Sequence, residues 1–269
     1  MMKIRSRLRT ACLVFLGCLL IPLVFLICAA TKFYPMILYP SPKDEGPAAP
    51  AGAALISLET DSGQAVESLY FSAKDDNPTL VYFHGNNETI KTCTDLVQKS
   101  ANSGLGIAIM EYPGYGNLPG EPNEKTIYES AETLIEYLQN QGVPQEKTII
   151  MGYSLGTGTA AEMASRNLGA KLILIAPYTS VPDVAESIVA LPCMDFLIPE
   201  HFETLEKSSK IQIPTLIIHS KKDQVIPYEM GLKLSQTFPN ATLITEESKG
   251  HNDYFDAATI KAIVDFACG

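Results

Sequence analysis

Three side chains far apart in this chain have the makings of acyl-transfer chemistry: the hydroxyl of Ser154, the imidazole of His251 and the carboxylate of Asp223. A serine hydroxyl is a poor nucleophile until a base takes its proton, and an imidazole does so best when a carboxylate fixes its tautomer. Ser154 stands in Gly152-Tyr153-Ser154-Leu155-Gly156, directly after Thr148-Ile149-Ile150-Met151 and directly before the small helix formers Thr159 to Ala164. The pattern predicts strand, sharp turn and helix, with the serine at the apex. In so tight a turn the residues two before and two after the serine approach each other's backbone, which glycine tolerates. Gly152 and Gly156 hold those places. The helix that opens here aims its N–H groups and positive dipole end at the site of a developing oxyanion.

The partners are sought downstream, on loops that follow later strands. Thr215 to His219 reads as a strand, and Asp223 comes just past its end; Thr242 to Thr245 reads as the last strand, and His251 comes on the loop behind Gly250. Chain order Ser, Asp, His fits this placement. The other histidines have structural readings. His84 and His219 end strands and are expected to hydrogen-bond within the sheet or brace a loop, and His201 falls in an exposed connection. Two backbone donors complete the site: the N–H of Leu155, and the N–H of Asn86 in the turn after His84-Gly85.

The elements that must carry these residues alternate. Leu55 to Leu58 and Val66 to Phe71 predict an antiparallel hairpin at the sheet edge; Thr79 to Phe83, Gly106 to Met110 and Lys171 to Ala176 predict buried strands. Helical patterns run over 88–103, 124–140 and 256–268. The fold class is therefore α/β, a mostly parallel sheet with helices on both faces. One connection is too long for a simple crossover. Pro177 to Ile213 spans 37 residues, predicting a lid of short helices at about 177–213. It either covers an apolar acyl group or simply covers core.

Composition sets bounds on partners. Residues 1–30 hold Lys3, Arg5, Arg7 and Arg9 and no acid, so the remainder has 16 basic against 30 acidic residues; a polyanion would be repelled, and nucleic acid is not an expected partner. The six cysteines form neither a CxxC nor a Cys/His cluster, so no metal site and no disulfide framework is expected. Gly156 to Ala161 spells GxGxxA, but Gly156 comes four residues late for a dinucleotide turn and the next strand ends in Pro177-Tyr178 rather than an acid; no cofactor is expected. Asn87-Glu88-Thr89 and Asn240-Ala241-Thr242 are glycosylation sequons, the first read as coincidence because a glycan there would crowd the Asn86 turn.

Ala11 to Ala30 is twenty uncharged residues behind four basic ones, about 30 Å as a helix and enough to cross a bilayer. The reading is 1–33 as basic segment and signal anchor, 34–54 as linker and 55–269 as the catalytic domain, the N-terminus cytoplasmic and the domain on the extracytoplasmic side. Cleavage near Cys28-Ala29-Ala30, giving a secreted protein, is the alternative.

Taken as an ordered set, FHGN (83–86), EYPGYG (111–116), GYSLGTG (152–158), APYTS (176–180), KKDQVIP (221–227) and KGHND (249–253) resemble the α/β-hydrolase branch that includes abhydrolase-domain proteins thirteen and seventeen. Leu38-Tyr39-Pro40 also resembles the membrane-anchored members, whereas Thr157 and Asn117-Leu118-Pro119-Gly120 depart from the usual residues. The resemblance implies the α/β-hydrolase fold, the triad Ser154, Asp223 and His251, and hydrolysis of esters or thioesters, the seventeen-type proteins removing palmitoyl groups from cysteine. The expectation is a membrane-anchored serine hydrolase acting on an acyl ester or thioester, lipid or acylated protein. A catalytically silent binding protein and a serine peptidase on the same triad are the alternatives.

Overall fold

The computed structural model describes residues 49–189 and 194–269, with isolated positions 17, 20 and 38. Apart from those isolated positions, the spanning segment expected over 11–30 lies outside the described residues, as does the linker up to residue 48. Among the described residues no helix is long and apolar enough to cross a membrane.

The described strands form one eight-stranded sheet: β1 (Ala54–Glu59), β2 (Ala65–Phe71), β3 (Thr79–Phe83), β4 (Gly106–Met110), β5 (Thr148–Tyr153), β6 (Lys171–Ile175), β7 (Thr215–Ser220) and β8 (Ala241–Glu246), in the order β1-β2-β4-β3-β5-β6-β7-β8. β1 and β2 pair antiparallel, and β2 runs antiparallel to β4; every other neighbouring pair is parallel. The sheet divides its apolar residues by parity, as a pleated strand must. Val81, Phe83, Ile150, Leu172 and Leu174 face one core, and Leu80, Tyr82, Ile149, Met151, Ile173 and Ile175 the other.

Helices α1 (Thr94–Asn102), α2 (Glu124–Asn140), α3 (Gly156–Ser165), α4 (Val181–Val189), α5 (Thr204–Ser208), α6 (Tyr228–Thr237) and α7 (Ala257–Cys268) cover both faces. α2 and α3 supply Ile127, Leu134, Ala160 and Met163 to the first core, and α1 and α7 supply Leu96, Val97 and Ile263 to the second. α2 opens on a reciprocal cap, Asn123 accepting from Thr126 N–H while the Thr126 hydroxyl accepts from Asn123 N–H. α7 is pinned at both ends. Lys99 Nζ donates to Phe255 O (2.9 Å) and Lys171 Nζ to Phe266 O (2.8 Å), the latter a cation on the last helical turn.

Two elements differ from the sequence reading. The helix expected over 88–103 begins only at Thr94, because side chains bond the intervening backbone into turns. Glu88 Oε2 accepts from Gly85 N–H (2.7 Å) and from Tyr82 OH (3.1 Å), and Thr89 N–H donates to Thr92 Oγ1 (2.8 Å). α6 has no counterpart in the reading. Its Gly231 argues against a helix interior, yet a Cβ there would lie 2.2 Å from His219 Nδ1, so only glycine lets α6 close over β7.

Candidate active site

Ser154 takes φ +50°, a left-handed conformation costly for any residue with a Cβ. Its neighbours force this. A Cβ on Gly152 would lie 2.4 Å from Gly156 O, and one on Gly156 would lie 2.0 Å from Phe83 O, so the turn closes against itself and against β3. Ser154 N–H donates to Ile175 O across to β6 (2.9 Å) and the Thr157 hydroxyl donates to Ser154 O (2.7 Å). The serine is thus clamped on both sides of its Cα, with its hydroxyl left at the C-terminal edge of the sheet.

β7 and β8 deliver the other two groups to the same edge. His251 Nε2 lies 2.9 Å from Ser154 Oγ, and His251 Nδ1 lies 2.8 Å and 3.0 Å from the two oxygens of Asp223. Residues 97 positions apart in the chain therefore meet within hydrogen-bond range. The Asp223 side chain is fully buried. Burial opposes its charge, but the hydrogen bond and charge of His251 and the N–H groups of Ile226 and Val225 outweigh that cost and hold the carboxyl below its usual range. The imidazole consequently keeps its hydrogen on Nδ1 and offers Nε2 to the serine.

Two tyrosines that the sequence reading did not single out hold these groups in place. Tyr254, buried, donates to Asp223 Oδ2 (3.1 Å) and accepts from Ser220 N–H (2.8 Å). Tyr153, the residue before the serine, donates to His251 O (2.6 Å) and packs its ring against the imidazole. Their signal was positional: Tyr153 lies inside GYSLGTG and Tyr254 directly follows KGHND. His219 lies behind the acid, its Nε2 donating to Ile226 O (3.1 Å). Burial pushes its pKa down despite the nearby Asp223 charge, so the ring is neutral. His84 braces a loop, as expected, and His201 is engaged by Asp195 O (3.1 Å) and Glu203 (3.3 Å) in the lid segment.

Ser154, Leu155, Asn86 and Tyr178 line a cavity of about 370 Å³ together with apolar side chains, α4 contributing Val181, Val184, Ala185 and Ile188 and the acid loop Val225 and Ile226. Among the described residues no charged side chain lines it. The long connection does cover core, Val181 and Ala185 belonging to the first core and Val184 packing against it, and the same three side chains with Ile188 also line the cavity. The GxGxxA stretch has a packing reason: a Cβ on Gly158 would lie 2.4 Å from Tyr178 OH and 2.7 Å from Phe202 Cβ.

Residues 74–201 match the family described as serine aminopeptidase, S33, and residues 181–266 match that of TAP-like protein. A protein of Acanthamoeba polyphaga mimivirus, named as an alpha/beta hydrolase (L404), is 30% identical over 191 residues, which cover 68% of this chain and 70% of that protein. The chain belongs to the α/β-hydrolase superfamily. The alpha/beta hydrolase domain-containing protein 17C of Xenopus laevis is 32% identical over 183 residues, covering 65% of this chain and 56% of that protein, in keeping with the seventeen-type resemblance. The chain spans about half the length of the animal relatives it matches. The α/β-hydrolase fold extends to a Pyrococcus furiosus esterase, Pf2001, at a TM-score of 0.70 and 14% identity over 84% of this chain and 97% of that one.

Proposed function

We propose that this α/β-hydrolase is a serine hydrolase that cleaves carboxylic esters or thioesters with an apolar acyl group. The observation that carries the reading is the relay of Asp223, His251 and Ser154 at 2.8 Å and 2.9 Å, opening into an apolar cavity. As Ser154 Oγ bonds to the acyl carbon, its proton passes to His251 Nε2, and Asp223 stabilises the imidazolium that forms. The carbonyl oxygen becomes an oxyanion facing the N–H groups of Leu155 and Asn86. Collapse breaks the bond to the alcohol or thiol, which leaves with the proton from His251. Water then attacks the acyl-enzyme, gives its proton to His251, and the acid departs as Ser154 regains its hydrogen.

The apolar wall contributed by α4 favours a medium or long acyl chain, each buried CH₂ being worth about 0.8 kcal/mol. We place the enzyme at a membrane through residues 11–30, where such substrates concentrate, with the domain on the extracytoplasmic side; a protease-protection assay on vesicles tests that topology. The peptidase reading draws on the description of the matched family, serine aminopeptidase. Against it, the cavity lining among the described residues holds no carboxylate to bind a peptide's terminal ammonium.

A fluorophosphonate probe tests the chemistry. Labelling that Ser154→Ala abolishes is expected, and native protein that stays unlabelled returns the chain to the silent-binder reading. A chain-length series of nitrophenyl esters tests the substrate class, and a preference for acetate over longer chains would overturn it.

A further inference from the structure

β3 and β4 end side by side, and each is followed directly by an ionisable residue that the mechanism does not use: His84 and Glu111. Their side chains are 0% and 3% exposed, with His84 Nε2 3.1 Å from Glu111 Oε1. His84 Nδ1 lies 2.9 Å from Gly85 O. A carbonyl oxygen only accepts, so Nδ1 carries a hydrogen; at Nε2 an ionised Glu111 also only accepts, so that nitrogen carries one too, unless the carboxyl itself is protonated. Either way the pair holds one proton more than a neutral imidazole beside a carboxylate. The other oxygen, Glu111 Oε2, accepts from Ile90 N–H (3.1 Å).

The neighbours of this pair grip the turn that carries Asn86. Tyr112 stacks on the His84 ring at 4.2 Å and donates to His84 O (2.7 Å), and Tyr115 OH donates to Asn86 Oδ1 (2.6 Å). Gly116, at φ +54°, makes room: a Cβ there would lie 2.8 Å from Glu111 Oε2. The EYPGYG segment thus turns its acid inward and both tyrosines onto the turn. Stability alone does not account for this arrangement, because the desolvation cost of burying an ion pair offsets its attraction and a well-packed apolar pair does as well or better. What the pair provides is direction.

Resting on the serine-hydrolase reading, we propose that Glu111 and His84 are positioning residues, a proton-sharing pair that holds the 84–90 turn so that Asn86 faces the oxyanion. Burial lowers the His84 pKa, but the hydrogen bond and charge of Glu111 outweigh it, Glu88 adds to them, and the net direction is up from 6.5. The tyrosines that face the ring, Tyr112 and Tyr115, are pushed upward by burial and stay neutral. The shared proton is therefore fully present below pH 6.5 and is lost as pH rises through the raised value, leaving acceptor against acceptor at Nε2.

The test compares full-length native protein, Glu111→Ala and Glu111→Gln on p-nitrophenyl butyrate, with fluorophosphonate labelling and thermal melting alongside. Native kcat is expected to fall on the alkaline side below its melting range. Glu111→Ala is expected to lose about tenfold to a hundredfold in kcat with KM within about twofold, as for a weakened oxyanion donor. In Glu111→Gln the amide donates to Nε2 of a neutral His84 and accepts from Ile90 N–H, so no proton need be shared; most of kcat returns and the alkaline fall disappears. A Glu111→Gln profile with the native alkaline fall overturns the proposal, as does Glu111→Ala with native kcat. Should Glu111→Ala not fold, the Glu111→Gln profile decides alone. Failure of native protein to label sinks the functional reading and this proposal together, whereas native labelling with an unaltered Glu111→Gln profile sinks this proposal alone.

Discussion

The triad at the sheet edge and the cavity wall from α4 are built on different physical terms. The triad side is polar and directional: Ser154 and His251 are each 8% exposed, Asp223 takes hydrogen bonds from Val225, Ile226, His251 and Tyr254, and a left-handed turn fixes the hydroxyl. The wall from α4 is apolar, non-directional and partly open, Ile188 being 54% exposed. Directional bonds fail when a single atom is removed, because a buried partner is then left unsatisfied. Apolar contact changes gradually with volume and area. The comparison teaches that rate should be brittle and substrate preference plastic.

The sharpest break in that contrast comes at the acid. Asp223→Asn preserves shape but puts a donor against His251 Nδ1 or reverses its tautomer, and kcat on a nitrophenyl ester is expected to fall roughly 10³- to 10⁴-fold with melting little changed. The α4 wall should respond selectively. Val184→Phe, which narrows the cavity from α4, is expected to lower kcat/KM for a long-chain ester about tenfold while acetate stays within about twofold; equal losses on both would erase the distinction between triad and wall. Tyr254→Phe removes one donor from the Asp223 carboxylate, worth about 1 kcal/mol, and is expected to cost about fivefold in kcat.

The smallest effect lies behind the site. The His219 pKa is depressed by burial, so the ring is neutral in the fold while the unfolded chain takes up a proton near 6.5. Stability should accordingly fall as pH drops below that value toward the depressed one, and urea unfolding at about pH 7 and about pH 5 should show a smaller loss in His219→Gln than in the native chain.

What could be read from the sequence was what local rules govern. β3 and β4 begin and end where their unbroken apolar runs do, Thr79–Phe83 and Gly106–Met110, and α2 begins at its cap. Ser154, Asp223 and His251 were legible because each follows a strand, and parallel strands carry their ends to one edge. The missed parts are those that depend on contacts across the fold. Glu88 reads as a helix former, yet its carboxylate reaches back to Gly85 N–H and delays α1. Gly231 reads as a helix breaker until His219 is placed beneath it. Tyr254 and Glu111 act through partners 31 and 27 positions away, which no local pattern announces.

For anyone attaching this protein to a bead or a sensor chip, the two lysine clasps at either end of α7 decide the coupling chemistry. Amine-directed reagents would modify Lys99 and Lys171 and unseat the helix that follows His251, whereas the thiol of Cys268, which is exposed while Cys93 is buried, offers a handle that leaves both clasps shut.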